Sequence, residues 1–429
     1  MSCLSDLSKE ELLAMRNCVE KEYNDTKAKG LKLNMARGLP SVEQLDMESD
    51  FFDVLTSESV YKSETGIECR NYGELTGISE AKKLMGEMMG IPAENVMIFG
   101  NSSLNIMYDT VARAMIHGVC GSTPWCKLDN KVKFLCPVPG YDRHFAVTEQ
   151  FGIEMINIPL LEDGPDMDLV EKYVNNDPYV KGMWCVPKYS NPTGVVYSSK
   201  TVERIAKLKP AAKDFRLFWD NAYIVHHLYE DKRGELPEIL SECAKYGNED
   251  MVWEFCSTSK ITFPGAGVAA LGSSVKNLEY VKKIITIQTI GYDKLNQLRH
   301  AMYLKDMNGI ENHMKKHAAI LRPKFELVNS KLEEGLGGLG IGKWTKPLGG
   351  YFVSFDALEG CASQIVLKCK EAGVTLTGAG STYPYKKDPF DSNIRIAPTF
   401  PPIEELSMAI DIFVLAVKLV SIDKILESK

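Results

Sequence analysis

The sequence predicts an α/β protein in which a large domain is built on a mainly parallel, doubly wound sheet and a smaller α+β domain is assembled from both chain ends. From about residue 80 to residue 275, short apolar runs of strand length alternate with longer stretches of helical periodicity. Beyond Lys305 the pattern changes to a long helix, a glycine-rich turn and a run of alternating polarity. We therefore assign residues 48–310 to the large domain, and residues 1–47 and 311–429 to the small domain.

Each element of this fold follows from a local pattern. The first residues, MSCLSDLSKEELLAMRN, are typical of a capped helix. The strands of the large domain are expected to be buried on both faces between crossover helices, and we place them at residues 96–99, 132–136, 183–186, 217–219, 252–256 and 268–271. The small domain is predicted to hold strands at residues 351–355 and 393–397, with a final apolar helix after them.

Composition and charge exclude several classes of protein. The chain has 429 residues, of which 45% are hydrophobic and 25% charged, as in ordinary soluble globular proteins. Its 50 basic and 57 acidic residues give a net charge of −7, so we predict no nucleic-acid partner. The most apolar run, at residues 410–420, is interrupted by Asp411 and Lys418 and is shorter than a bilayer crossing requires. No membrane role is therefore predicted.

The cysteine and histidine patterns indicate the compartment and the absence of a metal. The 11 cysteines are scattered and form no CxxC pair, which favours reduced, mostly buried thiols over disulfides. The chain start also lacks the basic patch and apolar stretch of a secretory signal. We therefore expect a cytoplasmic protein. His226 and His227 are adjacent rather than four residues apart on a helix, with no ligand pattern around them, so no metal site is predicted.

Polar residues at the carboxyl ends of the predicted strands are the candidates for a binding site, because ligands on such sheets bind at that edge. Ser102 and Ser103 lie where a helix begins after the first strand, and free N–H groups there could bind a phosphate; the alternative is a plain helix cap. A GxGxxG motif at Gly335, Gly337 and Gly340 follows a helix and precedes a strand. This order is the reverse of a dinucleotide site, so we interpret the motif as a flexible turn.

Four further residues could carry chemistry at this edge. Asn191 precedes a proline, which disfavours helix and lets its amide project over the sheet; the alternative is a turn. Asp220 ends an apolar strand and requires a partner such as a protonated ring nitrogen, unless it only caps the next helix. Lys260 follows another strand among hydroxyl residues and could form a Schiff base, or it could be a solvated loop lysine. Arg395 lies between two isoleucines, and it could bind a carboxylate or form an ordinary ion pair.

In their order along the chain, these residues resemble the sites of the fold-type-I pyridoxal-phosphate enzymes, specifically the class I aminotransferases. The resemblance spans nearly the whole chain, from NMARGLP at 34–40 and NYG at 71–73 to Arg395. Its nearest likeness is a divergent aspartate aminotransferase-like subgroup, through DNAYIVHHL at 220–228 and STSKITF at 257–263. The resemblance implies a homodimer that binds pyridoxal 5'-phosphate and moves an amino group between an amino acid, with aspartate or glutamate preferred, and a 2-oxo acid.

The resemblance also assigns roles to individual residues. It makes Lys260 the lysine that carries the cofactor and then acts as the base, and Asp220 the group that keeps the pyridine nitrogen protonated. Tyr223 would hydrogen-bond the ring oxygen. The other cofactor contacts it implies are Asn191, a stacking Tyr141, the phosphate-binding Ser102, Ser103, Ser257 and Ser259, and Tyr72 reaching the neighbouring subunit's phosphate. Arg395, with Gly38 behind it and Asn191 beside it, would bind the substrate's α-carboxylate.

The sequence departs from this family at the phosphate site and leaves some questions open. Val268 occupies the position of the usual phosphate-binding arginine, so either hydroxyl and amide groups suffice or another basic residue substitutes. Arg37 and Arg299 are the candidates for reading a side-chain carboxylate. A β-lyase or decarboxylase of the same fold would use nearly the same residues, and a non-enzymatic pyridoxal-phosphate-binding regulator is a third alternative.

Overall fold

A computed structural model describes residues 3–429. Its α-helices are α1 (Lys9–Lys27), α2 (Val42–Asp46), α3 (Ser79–Met89), α4 (Ser103–His117), α5 (Asp142–Gln150), α6 (Met167–Val174), α7 (Ser199–Ala206), α8 (Ile239–Ala244), α9 (Val275–Gln288), α10 (Lys294–Leu304), α11 (Met307–Leu336), α12 (Ala362–Glu371) and α13 (Ile403–Glu427). Its β-strands are β1 (Leu33–Asn34), β2 (Val96–Ile98), β3 (Lys133–Val138), β4 (Glu154–Leu161), β5 (Gly164–Pro165), β6 (Val180–Cys185), β7 (Arg216–Asp220), β8 (Val252–Ser257), β9 (Ala269–Ser273), β10 (Gly342–Trp344), β11 (Val353–Ala357), β12 (Val374–Thr375) and β13 (Asn393–Ile396).

The main sheet contains every strand predicted for the large domain. Within the described residues it has eight strands in the order β2-β9-β8-β7-β6-β3-β4-β5. The pairs from β8 through β7, β6 and β3 to β4 are parallel, whereas β9 runs antiparallel to both of its neighbours. Parallel neighbours require crossover connections, which helices provide here. The predicted mainly parallel α/β fold is therefore confirmed.

Helices cover both faces of the main sheet, and the strands alternate between the two layers as the pleat requires. Leu135 and Leu217 face the layer formed with α3, α6, α7, α8 and α10. Phe134 and Phe218 face the layer formed with α4, α5 and α9. Because both faces are apolar, strand β7 is buried at every position. The candidate site residues Asp220 and Lys260 accordingly lie at or just beyond the ends of their strands.

A second core surrounds the three-stranded sheet β10-β11-β13, which is antiparallel throughout. It is formed by α1, α12, α13 and most of α11, and the N-terminal helix begins with a capping box in which Ser8 accepts from the backbone N–H of Glu11. Helix α11 belongs to both cores: Ile310 and Met314 pack below the main sheet, whereas Leu321 and the residues after it pack in the second core. The change of core thus occurs inside one helix, and the boundary at residues 310 and 311 stays a prediction.

Two further sequence interpretations concern individual segments. The GxGxxG motif begins in the last turn of α11 and ends before strand β10, so its context is helix to strand, as expected. Strand β4 has no counterpart among the predicted strands, because its buried and exposed positions alternate irregularly. None of the helices within residues 3–429 is both long enough and apolar enough to cross a membrane.

Candidate active site

A cavity of about 430 Å³ opens at the carboxyl edge of the main sheet, between it and the second core. Asn191, Tyr223 and Lys260 line it from segments that follow β6, β7 and β8. Gly38 and Arg395 line it from the opposite side. The predicted residues that are far apart in sequence are therefore brought to one cavity, with a size ordinary for small-molecule sites.

Lys260 lies half-buried in the wall of this cavity, in the turn that follows β8. Its Nζ is 5.1 Å from the centre of the Tyr223 ring and 5.9 Å from that of Tyr351. Burial lowers the pKa of Lys260 below its ordinary value, and the negative charge of Asp220 only partly opposes this shift. A lowered pKa increases the neutral fraction of the amine, which is the form that attacks a carbonyl.

Asp220, the last residue of β7, is buried with one oxygen paired and the other free. Its Oδ2 is 2.9 Å from Nε2 of His144, whose ring stacks on Trp184 with centres 4.3 Å apart. Across the described part of the chain, the buried Oδ1 accepts no hydrogen bond. A carboxylate oxygen buried in this way requires a donor, and a protonated ring nitrogen would supply one.

Among the aromatic residues at the cavity, Tyr223 and Tyr351 are buried and Tyr141 is half-buried. The ring of Tyr141 meets that of His144 edge-on with centres 4.9 Å apart, which places Tyr141 beside the Asp220 carboxylate. Tyr223 is stacked on Tyr351 with centres 5.9 Å apart. Burial, with nearby Tyr141 and Asp220, raises the pKa of Tyr223 well above its usual range, so its hydroxyl remains a hydrogen-bond donor.

Arg395 on β13 is buried and bonds to groups from both cores. Its Nη1 donates to Asp142 Oδ1 at 2.8 Å and to Asn191 Oδ1 at 3.4 Å, and its Nη2 donates to Thr377 Oγ1 at 3.1 Å. In residues 3–429 the buried Nε has no acceptor. The guanidinium can therefore still bind a carboxylate through two of its N–H groups, although Asp142 already neutralises part of its charge.

Gly38 is connected to Arg395 through the Phe352 ring, which lies between them. The guanidinium carbon of Arg395 lies 4.8 Å from the centre of the Phe352 ring. A Cβ at Gly38 would come within 2.5 Å of the far edge of that same ring. A side chain at position 38 would therefore displace Phe352 and the arginine that rests on it.

The four candidate phosphate-binding serines converge near the start of α4. Ser102 is the N-cap of that helix and makes no capping hydrogen bond with its side chain. Ser259 Oγ donates to the carbonyl of Asn101 at 2.8 Å, and Ser257 Oγ donates to Ser259 Oγ at 3.1 Å. Val268 is buried, and its backbone N–H donates to Thr258 Oγ1. Hydroxyl groups and helix N–H groups are therefore the donors that this corner offers.

Three other predicted residues have distinct surroundings. Tyr72 is 83% exposed, so it is not a packed core tyrosine. Arg37 lines the cavity, whereas Arg299 lies outside its lining and rests on the Phe51 ring at 5.4 Å. Arg143, which was not among the predicted residues, also lines the cavity. In the described chain, neither Arg37 nor Arg143 forms an ion pair.

This geometry agrees with the comparison of the chain with known proteins. A model of the aspartate amino-transferase family matches residues 7–429. The chain belongs to the aspartate aminotransferase family. A putative aminotransferase of Mycolicibacterium smegmatis is 46% identical over 407 residues, 94% of this chain and 95% of that protein. An aspartate aminotransferase of Corynebacterium glutamicum is 45% identical over 414 residues, 95% of this chain and 94% of that protein.

A solved structure supports the same assignment. The crystal structure of an aspartate transaminase from C. glutamicum superposes with a TM-score of 0.95 at 43% identity, covering 99% of both chains. The predicted fold class, family and enzyme class are thus confirmed, and the chain is an aminotransferase. The lyase, decarboxylase and regulator alternatives find no support among these relatives.

Some site residues of this aminotransferase were missed by the sequence interpretation. His144 and Asp142 follow Tyr141 directly in PGYDRHF, so their position at a strand end was a usable signal. Two buried histidines, His313 and His317, lie four residues apart on α11 and contact Glu48. That spacing was visible in the sequence and points to one helix face.

We predict that Asp142→Asn strengthens the binding of carboxylate substrates. The sequence prediction gives Arg395 the substrate carboxylate, which would then share the guanidinium with Asp142, and a neutral amide at position 142 removes the competing charge. We expect KM for the amino acid to fall about three- to tenfold, equivalent to about 1 kcal/mol, with kcat little changed. Steady-state kinetics check this, with the exposed Asp129→Asn as control. A higher KM would mean that Asp142 chiefly orients Arg395.

Proposed function

We propose that this aminotransferase uses pyridoxal 5'-phosphate to move an amino group between aspartate or glutamate and a 2-oxo acid, as a cytoplasmic homodimer. The observation that carries the proposal is the free, buried oxygen of Asp220 next to the cavity that the desolvated Lys260 and the buried Arg395 line. Each of these groups lacks something that one of the reactants supplies: a ring N–H, a carbonyl carbon and a carboxylate. Its eleven cysteines are all unpaired in the described chain, which agrees with a reducing compartment.

The residues present fit the cofactor. When bound, pyridoxal phosphate supplies an aldehyde for the amine and a ring that accepts the electrons of the substrate's Cα–H bond. Asp220 keeps the ring nitrogen protonated, and His144 holds the carboxylate in the orientation that leaves Oδ1 free. Tyr223 and Asn191 would donate hydrogen bonds to the cofactor, and Tyr141 would pack against its ring. Ser102, Ser103, Ser257 and Ser259 bind the phosphate, together with the N–H groups at the start of α4.

Lys260 has two tasks in this proposal. Its neutral amine, which the lowered pKa favours, would be the group that holds the cofactor covalently. The same amine, when free, would be the base that takes the proton from the substrate's α-carbon. Arg395 holds the α-carboxylate so that the Cα–H bond faces Lys260. One cavity accepts both substrates in turn, so a ping-pong cycle follows.

We expect the purified protein, loaded with pyridoxal phosphate, to carry a visible absorption band that Lys260→Ala abolishes. Borohydride reduction followed by peptide mapping should place one pyridoxyl group on Lys260. The matched control is Lys188→Ala, because burial and nearby Arg233 lower the pKa of Lys188 to about 8 although it lies outside the cavity lining. A label on Lys188 or on neither lysine would contradict the proposal.

The preference for dicarboxylic substrates is proposed from the cavity's charge. The relative of C. glutamicum is named an aspartate aminotransferase, and the cavity presents Arg37 and Arg143 in addition to Arg395. With Arg395 committed to the α-carboxylate, Arg37 and Arg143 are placed to bind the second carboxylate of aspartate or glutamate. Arg299 does not line the cavity, which argues against Arg299 as the residue that binds the substrate's side-chain carboxylate.

We expect Arg37→Gln and Arg143→Gln to lower kcat/KM for aspartate selectively. Loss of a charge-assisted hydrogen bond costs about 1.5–3 kcal/mol, or about 10- to 150-fold. Activity with alanine should change much less, since alanine has no second carboxylate. The measurement is the ratio of kcat/KM for aspartate to that for alanine, with Arg299→Gln as the control that keeps the ratio. A parallel loss for both amino acids would count against a specific role.

The homodimer is proposed from exposed apolar residues near Tyr72. Ile287 is 90% exposed and Ile290 62% exposed, and both lie next to the Gly291–Lys294 segment that borders the Tyr72 loop. Lys294 Nζ donates to the carbonyls of Asn71 and Gly73, at 2.6 and 2.9 Å, and fixes the backbone on both sides of Tyr72. An exposed tyrosine on a fixed backbone, beside exposed isoleucines, is suited to reaching a neighbouring subunit.

Sedimentation should give a mass of about twice 47.9 kDa. Ile287→Asp is expected to shift the population toward single chains, because it places a charge in an apolar contact. Leu367→Asp on α12, which is also exposed, is the control and should leave the mass unchanged. A monomer in the unmodified protein would refute the proposed assembly.

A further inference from the structure

The turn that carries Lys260 leaves two buried carbonyls without backbone partners. The N–H groups of Ile261 and Thr262 both donate to the carbonyl of Thr258, at 2.9 Å each, which forms a single helical turn. Within residues 3–429, no backbone N–H donates to the carbonyl of Lys260 or of Ile261. Buried carbonyls are nearly always paired, so this turn must take its donors from side chains.

Three histidine rings from different parts of the chain surround these carbonyls. His226 Nε2 lies 3.2 Å from the carbonyl oxygen of Lys260. His313 Nε2 and His317 Nε2, both on α11, lie 2.8 and 3.1 Å from the carbonyl oxygen of Ile261. The peptide group between Ile261 and Thr262 is therefore held from helix α11.

Glu48 is the second acceptor for the two rings on α11. Its Oε1 is 2.8 Å from Nε2 of His313 and 2.8 Å from Nε2 of His317. Burial alone would raise the pKa of Glu48, but the hydrogen bonds from the two histidines outweigh it, and the pKa lies below its ordinary value. Glu48 is thus an ionised acceptor that keeps both Nε2–H groups directed toward the same point.

The hydrogen-bond partners of Gln44 assign the proton on His317. Gln44 Oε1 accepts from the backbone N–H of Ser41 at 3.1 Å, so its amide nitrogen faces His317 Nδ1 at 2.8 Å. Since Nδ1 accepts this bond, the ring proton lies on Nε2. A protonated Nε2 cannot coordinate a metal ion, so this cluster acts through hydrogen bonds, although its residue types resemble a metal-ligand set.

The cluster of Glu48, His313 and His317 is positioned so that it can affect the placement of Lys260. His313 and His317 lie next to the point where α11 passes from the core below the main sheet, which includes Met314, to the second core, which includes Leu321. Any shift of α11 is therefore transmitted to the Ile261 carbonyl, one residue from Lys260. The cluster is also linked to the surroundings of the amine, since Gln44 Nε2 donates to the hydroxyl of Tyr351 at 3.2 Å and the Tyr351 ring centre lies 5.9 Å from Lys260 Nζ.

We propose that Glu48, His313 and His317 are positioning residues that clamp the Ile261 carbonyl to helix α11 and thereby fix the direction of the Lys260 side chain in the cavity. The inference rests on the proposed role of Lys260. None of the three residues touches the reacting atoms. Their effect is on where the amine stands relative to Asp220 and Tyr223, and therefore on its proton affinity and its reach.

The test compares variants that keep or remove the donor at the position of Nε2. His313→Gln and His317→Gln place an amide N–H near that position, whereas His317→Asn is polar but too short to reach Ile261. His317→Leu removes the donor altogether, and the exposed His117→Leu is the control. In the full-length chain loaded with pyridoxal phosphate, we expect the Leu and Asn variants to lower kcat about tenfold with little change in KM. The pH midpoint of the visible band should move by about one unit.

A second measurement does not depend on the cofactor. Hydrogen–deuterium exchange of residues 258–262 in the cofactor-free chain should be faster in the Leu and Asn variants and close to the unmodified rate in the Gln variants. If hydrogen–deuterium exchange became faster but the pH midpoint of the visible band did not move, the histidines would hold the turn without affecting Lys260. That result would refute the proposed effect on the lysine. Equal damage from Gln and Leu, unchanged exchange in a folded Leu variant, or a stoichiometric metal in the purified protein would overturn the proposal. Failure of pyridoxyl labelling at Lys260 would instead refute the proposed function.

Discussion

The site depends on the burial of one carboxylate. Asp220 ends a strand whose every position is buried, and an ionised carboxylate in such a place costs several kcal/mol unless it is paired. His144 pairs with one oxygen, and the flat contact between its ring and Trp184 fixes the direction of that bond. The other oxygen stays free in the described chain. The fold therefore maintains a directed acceptor that only a ligand can satisfy.

Burial in the same low-polarity surroundings also disfavours the charged form of Lys260, and this lowers the pKa of the amine. Burial stabilises the neutral amine, whereas the charge of Asp220 stabilises the ammonium, so the pKa of Lys260 depends on the separation of the two groups. That separation is set by the main sheet, since β7 and β8 are parallel neighbours with Asp220 in register with Phe255. The turn after β8 also contributes to the separation of Asp220 and Lys260, because it carries Lys260. This is why the hydrogen bonds that hold the turn bear on the chemistry of the amine.

The parts of the site that could be predicted are those that depend on strand ends. Asp220 and Lys260 follow apolar runs, and in a parallel sheet such residues meet at one edge whatever the length of the chain between them. The pairs missing from the prediction are long-range contacts between side chains. His144 meets Asp220 from 76 residues away, and Asp142 meets Arg395 from 253 residues away. Neither pairing leaves a local pattern, because each depends on how α5 packs on the sheet.

Arg395 links the two cores through hydrogen bonds that neither core could supply alone. It stands on β13 in the second core, yet Asp142 and Asn191 come from segments of the main sheet, and only Thr377 is near in sequence. Without its hydrogen bonds to Asp142 and Asn191, the buried guanidinium would be largely unpaired. Separating the two cores therefore costs free energy. In our proposal a carboxylate ligand binds the same guanidinium from the cavity between the cores. The ligand and Asp142 then compete for one positive charge, so the contact that links the cores also limits how tightly the carboxylate is held.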